Sequence, residues 1–185
     1  IIQNAFSMCT ECRKYYPEFR VSINLSYVQI LKSPLMMELK QIIDHSGISC
    51  SGIIVELTES GYLEGTPAVR SVWNDMKQLR IQIALDDFGT GYSNLMNISN
   101  LEPDIVKLDR GFTLKALSRS YEYQLMQYVI EMVHKLNQYV CVEGVETKED
   151  LEKIKALGPD LIQGYYYSKP CSRDEFLKKF FGYSE

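Results

Sequence analysis

Ile81-Gln82-Ile83-Ala84-Leu85-Asp86, followed at once by Asp87-Phe88-Gly89-Thr90-Gly91, is a run of strand-forming residues that stops on two adjacent carboxylates and a glycine-bearing loop. Its neighbours in the chain repeat the design. Runs rich in Val and Ile occupy Arg20–Ser26, Gly52–Leu57, Asp104–Asp109, Tyr139–Glu143 and Leu161–Tyr165, with helical patterns between them. Strand alternating with helix predicts a parallel sheet built from crossover helices.

Side chains alternate across a strand, so parity within each run separates two faces. One parity is aliphatic throughout: Ile23 and Leu25, Val55 and Leu57, Ile83 and Leu85, Val106 and Leu108, Val140 and Val142. That face is expected to meet the helices. The other parity carries Asn24, Glu56, Asp86, Lys107 and Glu143, each near the C-terminal end of its strand. Functional groups of strand–helix barrels collect at that rim, so the fold expected is α/β, a TIM-like barrel. An open doubly wound sheet is the alternative, but it wants both strand faces apolar.

Start and stop signals place the helices. Ser33-Pro34 and Thr66-Pro67 each set a capping side chain before a proline at the first helical position. Val69, Val72, Trp73, Met76 and Leu79 form one apolar stripe, and Leu125, Val129, Met132, Val133 and Leu136 another. Thr147 caps a helix with Leu151, Ile154 and Leu157 buried and Gly158 at its end, and Ser172 with Glu175 spells a capping box.

The 185 residues are 45% hydrophobic and 24% charged, ordinary globular values for one compact domain. Lys and Arg total 20 against 24 Asp and Glu, a net charge of −4 with no basic run, so a long nucleic acid is not an expected partner. The apolar runs fall far short of the roughly 20 residues that cross a bilayer, so no membrane contact and a cytoplasmic location are expected. Cys9, Cys12, Cys50, Cys141 and Cys171 fit neither a disulfide framework nor a complete zinc site and read as reduced thiols. Cys9 and Cys12 form a lone CxxC that reads as one face of an amphipathic helix. His45 and His134 both lie in helical patterns, away from any nucleophile motif. A hydrolase built from this chain must use carboxylates or metals.

Asp86 and Asp87 repel one another unless a cation or proton compensates them. Read alone, one would cap a helix and the other be solvated. Asn24, Glu56 and Glu143 reach the same rim, however, and such oxygen donors suit Mg²⁺ or Mn²⁺. A shared carboxylate holds two ions roughly 3.5–4 Å apart, the arrangement that steadies both oxygens of a phosphodiester displacement. Parity turns the Lys107 ammonium inward, where it needs anions, either as a bridge to a neighbouring acid or as part of the chemistry. Glu59 lies past its strand and reads as a loop anchor. Gln163 either positions a water or hydrogen-bonds the rim, and helix initiation beside Thr147 accounts for Glu146.

The ordered segments Asn24-Leu25-Ser26, Glu56-Leu57-Thr58-Glu59-Ser60, Asp86-Asp87-Phe88-Gly89-Thr90-Gly91-Tyr92-Ser93, Lys107-Leu108-Asp109, Glu143-Gly144-Val145-Glu146-Thr147 and Gln163-Gly164-Tyr165-Tyr166 resemble the EAL-domain family of cyclic di-GMP phosphodiesterases. The resemblance runs from about Val21 to Pro170. It implies a modified (β/α)₈ barrel with one antiparallel strand and a two-metal site for Mg²⁺ or Mn²⁺. Asn24, Glu56 and Asp86 then correspond to ligands of the first ion, and Asp86 with Asp87 to ligands of the second. By the same resemblance Glu143 is the general base or the partner of a metal-bound water, Lys107 contacts the nucleophilic water, Gln163 lies near it, and Glu59 steadies the loop that begins at Asp86. The implied reaction opens cyclic di-GMP to linear pGpG.

The chain departs from the family in one respect, for no Glu-Ala-Leu triplet occurs in it. Six predicted strands against the eight of a closed barrel give the expectation of an N-terminally truncated domain lacking its first two strands and their glutamate, with weakened metal binding. Two exposed strand edges predict association, with a homodimer expected, and the parent protein is expected to carry fused sensory or cyclase domains. A non-catalytic, regulatory member that binds cyclic di-GMP or a protein is the alternative. A sugar-cleaving barrel would need two acids flanking a glycosidic bond, which adjacent Asp86 and Asp87 cannot do.

Overall fold

The chain lays down its strands in the order in which they hydrogen-bond, β1 to β6. In this computed structural model, residues 2–26, 29, 34–58, 67–90, 98 and 102–182 are described. The strands are β1 (Val21–Leu25), β2 (Ile53–Thr58), β3 (Gln82–Phe88), β4 (Ile105–Leu108), β5 (Tyr139–Val142) and β6 (Leu161–Ile162). Every pair is parallel. The helices are α1 (Ile2–Cys12), α2 (Leu35–Ser46), α3 (Pro67–Gln78), α4 (Arg110–Ser118), α5 (Ser120–Lys135), α6 (Lys148–Lys155) and α7 (Arg173–Phe181).

A sequential order with right-handed crossovers sends every connecting helix to the same face, which curls the sheet into part of a TIM barrel. A doubly wound sheet would reverse its order at a switch point, so the open-sheet alternative is excluded. The aliphatic parity packs as read from the sequence. Ile23, Val55, Ile83, Leu85, Val106, Val140 and Val142 are buried in one cluster with Leu39, Met76, Met126, Ile130 and Ile154 from the helices. Burying each such side chain contributes about 1.5–3 kcal/mol.

The concave face is graded. Ala84, Ile105 and Cys141 form a small apolar cluster with Ile54 and Leu161 packed on it. Ile54, Ile105 and Cys141 stand two residues before Glu56, Lys107 and Glu143, on the same faces of their strands. An apolar floor thus lies one layer beneath the charged rim.

The caps follow the sequence where its polar groups dictate them. Thr147 and Asp150 form a capping box at α6, and Ser172 and Glu175 another at α7. Two expectations need correction. Pro34 is the N-cap of α2 rather than its first helical residue; its carbonyl accepts from Met37 and Glu38. Pro67 does begin α3, while Ser33 and Thr66 lie outside the described residues. The buried seam of α5 is Met126, Ile130 and Val133, leaving Leu125 and Leu136 42% and 49% exposed. Val129 and Met132 flank that seam, and Leu136 sits at the C-cap, past the last helical turn. A stripe shifted by one residue turns only 100° on a helix, so aliphatic periodicity alone left the facing side open.

Candidate active site

Lys107 brings three strands to one point. Its Nζ lies 2.8 Å from Glu56 Oε2 on β2, 3.0 Å from Asp86 Oδ1 on β3 and 2.6 Å from Glu143 Oε1, immediately after β5. Lys107 and Glu56 are 5% and 7% exposed, so the cluster sits in low dielectric at the C-terminal rim. Local pairing fixes it: Glu56 is level with Asn24 and Ala84, and Lys107 is level with Cys141. Asn24 is exposed at the rim on the sheet-edge strand β1.

A backbone irregularity falls at the adjacent acids. Register shifts between Leu85 and Phe88, and Asp87 takes a left-handed φ of 62°. Without that irregularity, neighbouring strand residues would face opposite sides of the sheet. A left-handed non-glycine residue costs about 1–3 kcal/mol and concentrates at functional sites.

The electrostatics follow from three carboxylates around one ammonium. Burial alone would lower the Lys107 pKa, but its bonds to Glu143 and Glu56 carry it well above the usual lysine value. Burial raises the Glu143 carboxyl, Lys107 opposes the rise, and Asp86 and Glu56 add to it. Asp87 is raised by burial, then by Asp86 and Asp109. Asp86 Oδ1 is buried, and its partner is the Lys107 ammonium at 3.0 Å. Negative charge is in excess here, with Glu56, Asp86, Asp87 and Glu143 gathered about one ammonium. That chemistry fits a bound divalent cation, with Asn24, Glu56, Asp86 and Asp87 as oxygen donors. Among the described residues, no three His, Cys, Asp or Glu side chains are already arranged around one metal position; the acids are organised about Lys107.

The remaining sequence candidates divide. Gln163 is exposed directly after β6 and, with Glu56 and Lys107, lines a cavity of about 540 Å³ on the concave face. Glu146 pairs with Arg110 at 2.7 Å on the surface, a partner beyond its place beside the α6 cap. Glu59 lies outside the described residues.

Two contributors escaped the sequence reading. The Ser22 hydroxyl donates to Glu56 Oε1, orienting the carboxylate whose other oxygen meets Lys107. Its parity with Asn24 was the available signal. Gly164 is the second, because a Cβ there would stand 2.0 Å from the Val145 carbonyl oxygen and 2.5 Å from its nitrogen. The Val145 N–H donates to the Gln163 carbonyl, tying the segment after Glu143 to the one that carries Gln163. Gly164→Ala is therefore expected to cost about 3 kcal/mol, the upper range for forced overpacking. Urea denaturation checks it, and a loss under 1 kcal/mol would show that this backbone can move apart.

The thiols behave as packing residues. Cys9 and Cys12 are fully buried on α1, Cys141 is 7% exposed, and burial pushes the Cys141 thiol up to about 12. Burial also raises Cys9 and Cys12, while Cys171 is exposed and Cys50 intermediate. An aromatic disulfide reagent at pH 8 is expected to modify Cys171 fast and Cys50 more slowly. Cys9, Cys12 and Cys141 should react only on unfolding. More than two thiols reacting in the native protein would contradict this arrangement.

Comparison with known proteins meets the geometry at this point. Cyclic di-GMP phosphodiesterase PdeF of Escherichia coli strain K12 is 31% identical over 170 residues, covering 92% of this chain and 23% of PdeF. The EAL enzyme Bd1971, in its cAMP- and cyclic di-GMP-bound form, aligns over 97% of this chain and 50% of its own, with a TM-score of 0.89 and 28% identity. The manganese and cyclic di-GMP complex of Klebsiella pneumoniae BlrP1 at pH 9.0 shares the fold, with a TM-score of 0.84 over 92% of this chain and 43% of its own at 24% identity. The chain therefore spans half or less of the length of these proteins. A family model described as the EAL domain matches residues 1–170, so the chain belongs to the EAL domain family.

Proposed function

We propose that this chain carries the catalytic rim of a metal-dependent phosphodiesterase that hydrolyses cyclic di-GMP to linear pGpG. The observation that carries the reading is the Lys107 ammonium bonded to Glu56, Asp86 and Glu143 from three strands. PdeF, whose described activity is on this substrate, supports it.

Asn24, Glu56 and Asp86 would hold one divalent cation, and Asp86 with Asp87 a second. Such ions, Mg²⁺ or Mn²⁺, supply positive charge for the phosphodiester and its leaving oxygen. A phosphodiester anion would otherwise be repelled by the excess carboxylates. Glu143 takes the proton from the attacking water as the new O–P bond forms and the ester P–O bond of the ring breaks. Its raised pKa brings it closer to working pH than an ordinary carboxylate. Lys107 stays protonated, holds the three acids in register and presents charge to the water oxygen. Gln163, on the same cavity, positions that water. Glu59 anchors the loop that begins at Asp86.

We also place the domain in the cytoplasm of a longer protein with sensory or cyclase domains, and expect a homodimer. The short fraction of PdeF that it spans supports the first reading, and the edge positions of β1 and β6 support the second. Among the described residues, no helix is long and apolar enough to cross a membrane. The test is pGpG release by the full-length protein with Mg²⁺ or Mn²⁺. Turnover that stops with a chelator and returns with metal supports the assignment; metal binding without pGpG release overturns it.

A further inference from the structure

The opposite end of the sheet, where the strands begin, holds a cavity of about 670 Å³ lined by Arg13, Arg20 and Arg80. These arginines come from three separate places: the end of α1, the entry to β1 and the turn between α3 and β3. Two are held in position. Arg13 donates to the Phe19 carbonyl at 2.8 Å, and Arg20 to the Gln82 side-chain oxygen at 2.8 Å. Among the described residues, the Arg80 guanidinium has neither a hydrogen bond nor an ion pair, and neither Arg13 nor Arg20 is ion-paired.

Arg80 is the informative member. Four turns from helix to strand pass through a left-handed residue: Gly47, Arg80, Asn137 and Gly158, with φ between 59° and 74°. Glycine and asparagine are the residues that adopt this conformation readily. Arginine gains nothing there as a turn residue, so its side chain is what the position provides, and that side chain lines the cavity. The opposing acids are few. Asp160 accepts from the Val140 N–H at 2.7 Å and meets His134 Nε2 at 2.9 Å, both through Oδ2, so Asp160 and Glu18 together stand against three guanidiniums.

We propose that this cavity is a second ligand site, for a soluble anion with two or more linked phosphate groups, separate from the carboxylate–lysine rim. Each guanidinium presents a planar fork that matches a phosphate bidentately. Three guanidiniums on separate segments around one cavity suit an anion whose charge is spread over more than one phosphate group. The volume lies within the range of small-molecule sites, and Tyr139, 52% exposed, offers a ring beside the arginines.

Titration calorimetry of the full chain with inorganic pyrophosphate, without divalent metal, tests the proposal. Arg80→Gly is the decisive variant, because glycine suits the left-handed turn and removes the side chain alone. Its melting temperature is expected to equal or exceed that of the unaltered chain, while the Kd for pyrophosphate weakens at least tenfold. Arg20→Gln should weaken binding likewise. Orthophosphate should bind the unaltered chain at least tenfold more weakly than pyrophosphate. No pyrophosphate binding, an unchanged Kd in Arg80→Gly, or equal affinity for orthophosphate would each overturn the assignment.

Discussion

Lys107→Met is expected to destabilise the fold by about 3–5 kcal/mol and to abolish turnover. Methionine fills most of the lysine's volume, so little of the loss comes from a cavity. What remains is Glu56, Asp86 and Glu143 facing one another in a buried cluster whose cation has gone. Removing one partner of a buried ion pair costs in this range because the uncompensated charge stays behind. Urea denaturation of the metal-free protein reads the effect directly. Adding Glu143→Gln in the same chain should recover part of the loss, since one repelling carboxylate is then neutral, and the two substitutions should not add. A Lys107→Met protein within 1 kcal/mol of the unaltered chain would mean that the cluster is not held by this ammonium.

Glu143→Gln separates chemistry from folding. The amide oxygen can still accept from Lys107, which keeps its bonds to Glu56 and Asp86. Burial already disfavours the charged form of Glu143, so a neutral replacement should leave the melting temperature equal or raised. Proton acceptance is lost, and kcat for pGpG release is expected to fall about 10²- to 10⁴-fold with little change in KM. Steady-state kinetics on the full-length protein decides it. A kcat within threefold of the unaltered enzyme would remove Glu143 from the role of base.

Much of this site could be read from residue parity. Period-two alternation in five short runs placed Glu56, Asp86, Lys107 and Glu143 on one face, and these are the side chains that meet. Parity works because the sheet has one aliphatic face and one graded face, so a register slip would bury charges among the helices. It fails where the backbone leaves the regular ladder. Nothing in Asp86-Asp87 signals the left-handed turn and register shift that fall at the two acids. Ser22 was passed over because a strand serine carries no chemical signature until its acceptor is known. The helices show the complementary weakness: α5 is rich enough in apolar residues that several stripes fit, and only the sheet against it selects Met126, Ile130 and Val133.

The Gly164 contact shows that the rim also depends on atoms without chemistry, since Gln163 and the segment after Glu143 approach as closely as a missing side chain permits.

Because each strand pairs with the one laid down just before it, every loop closed during folding is a single crossover long. Such local closure favours fast acquisition of structure and lets a nascent chain zip up progressively as it leaves the ribosome. The carboxylate cluster closes late in this progression, for Lys107 cannot gather its third carboxylate until β5 has docked, with only β6 still to add.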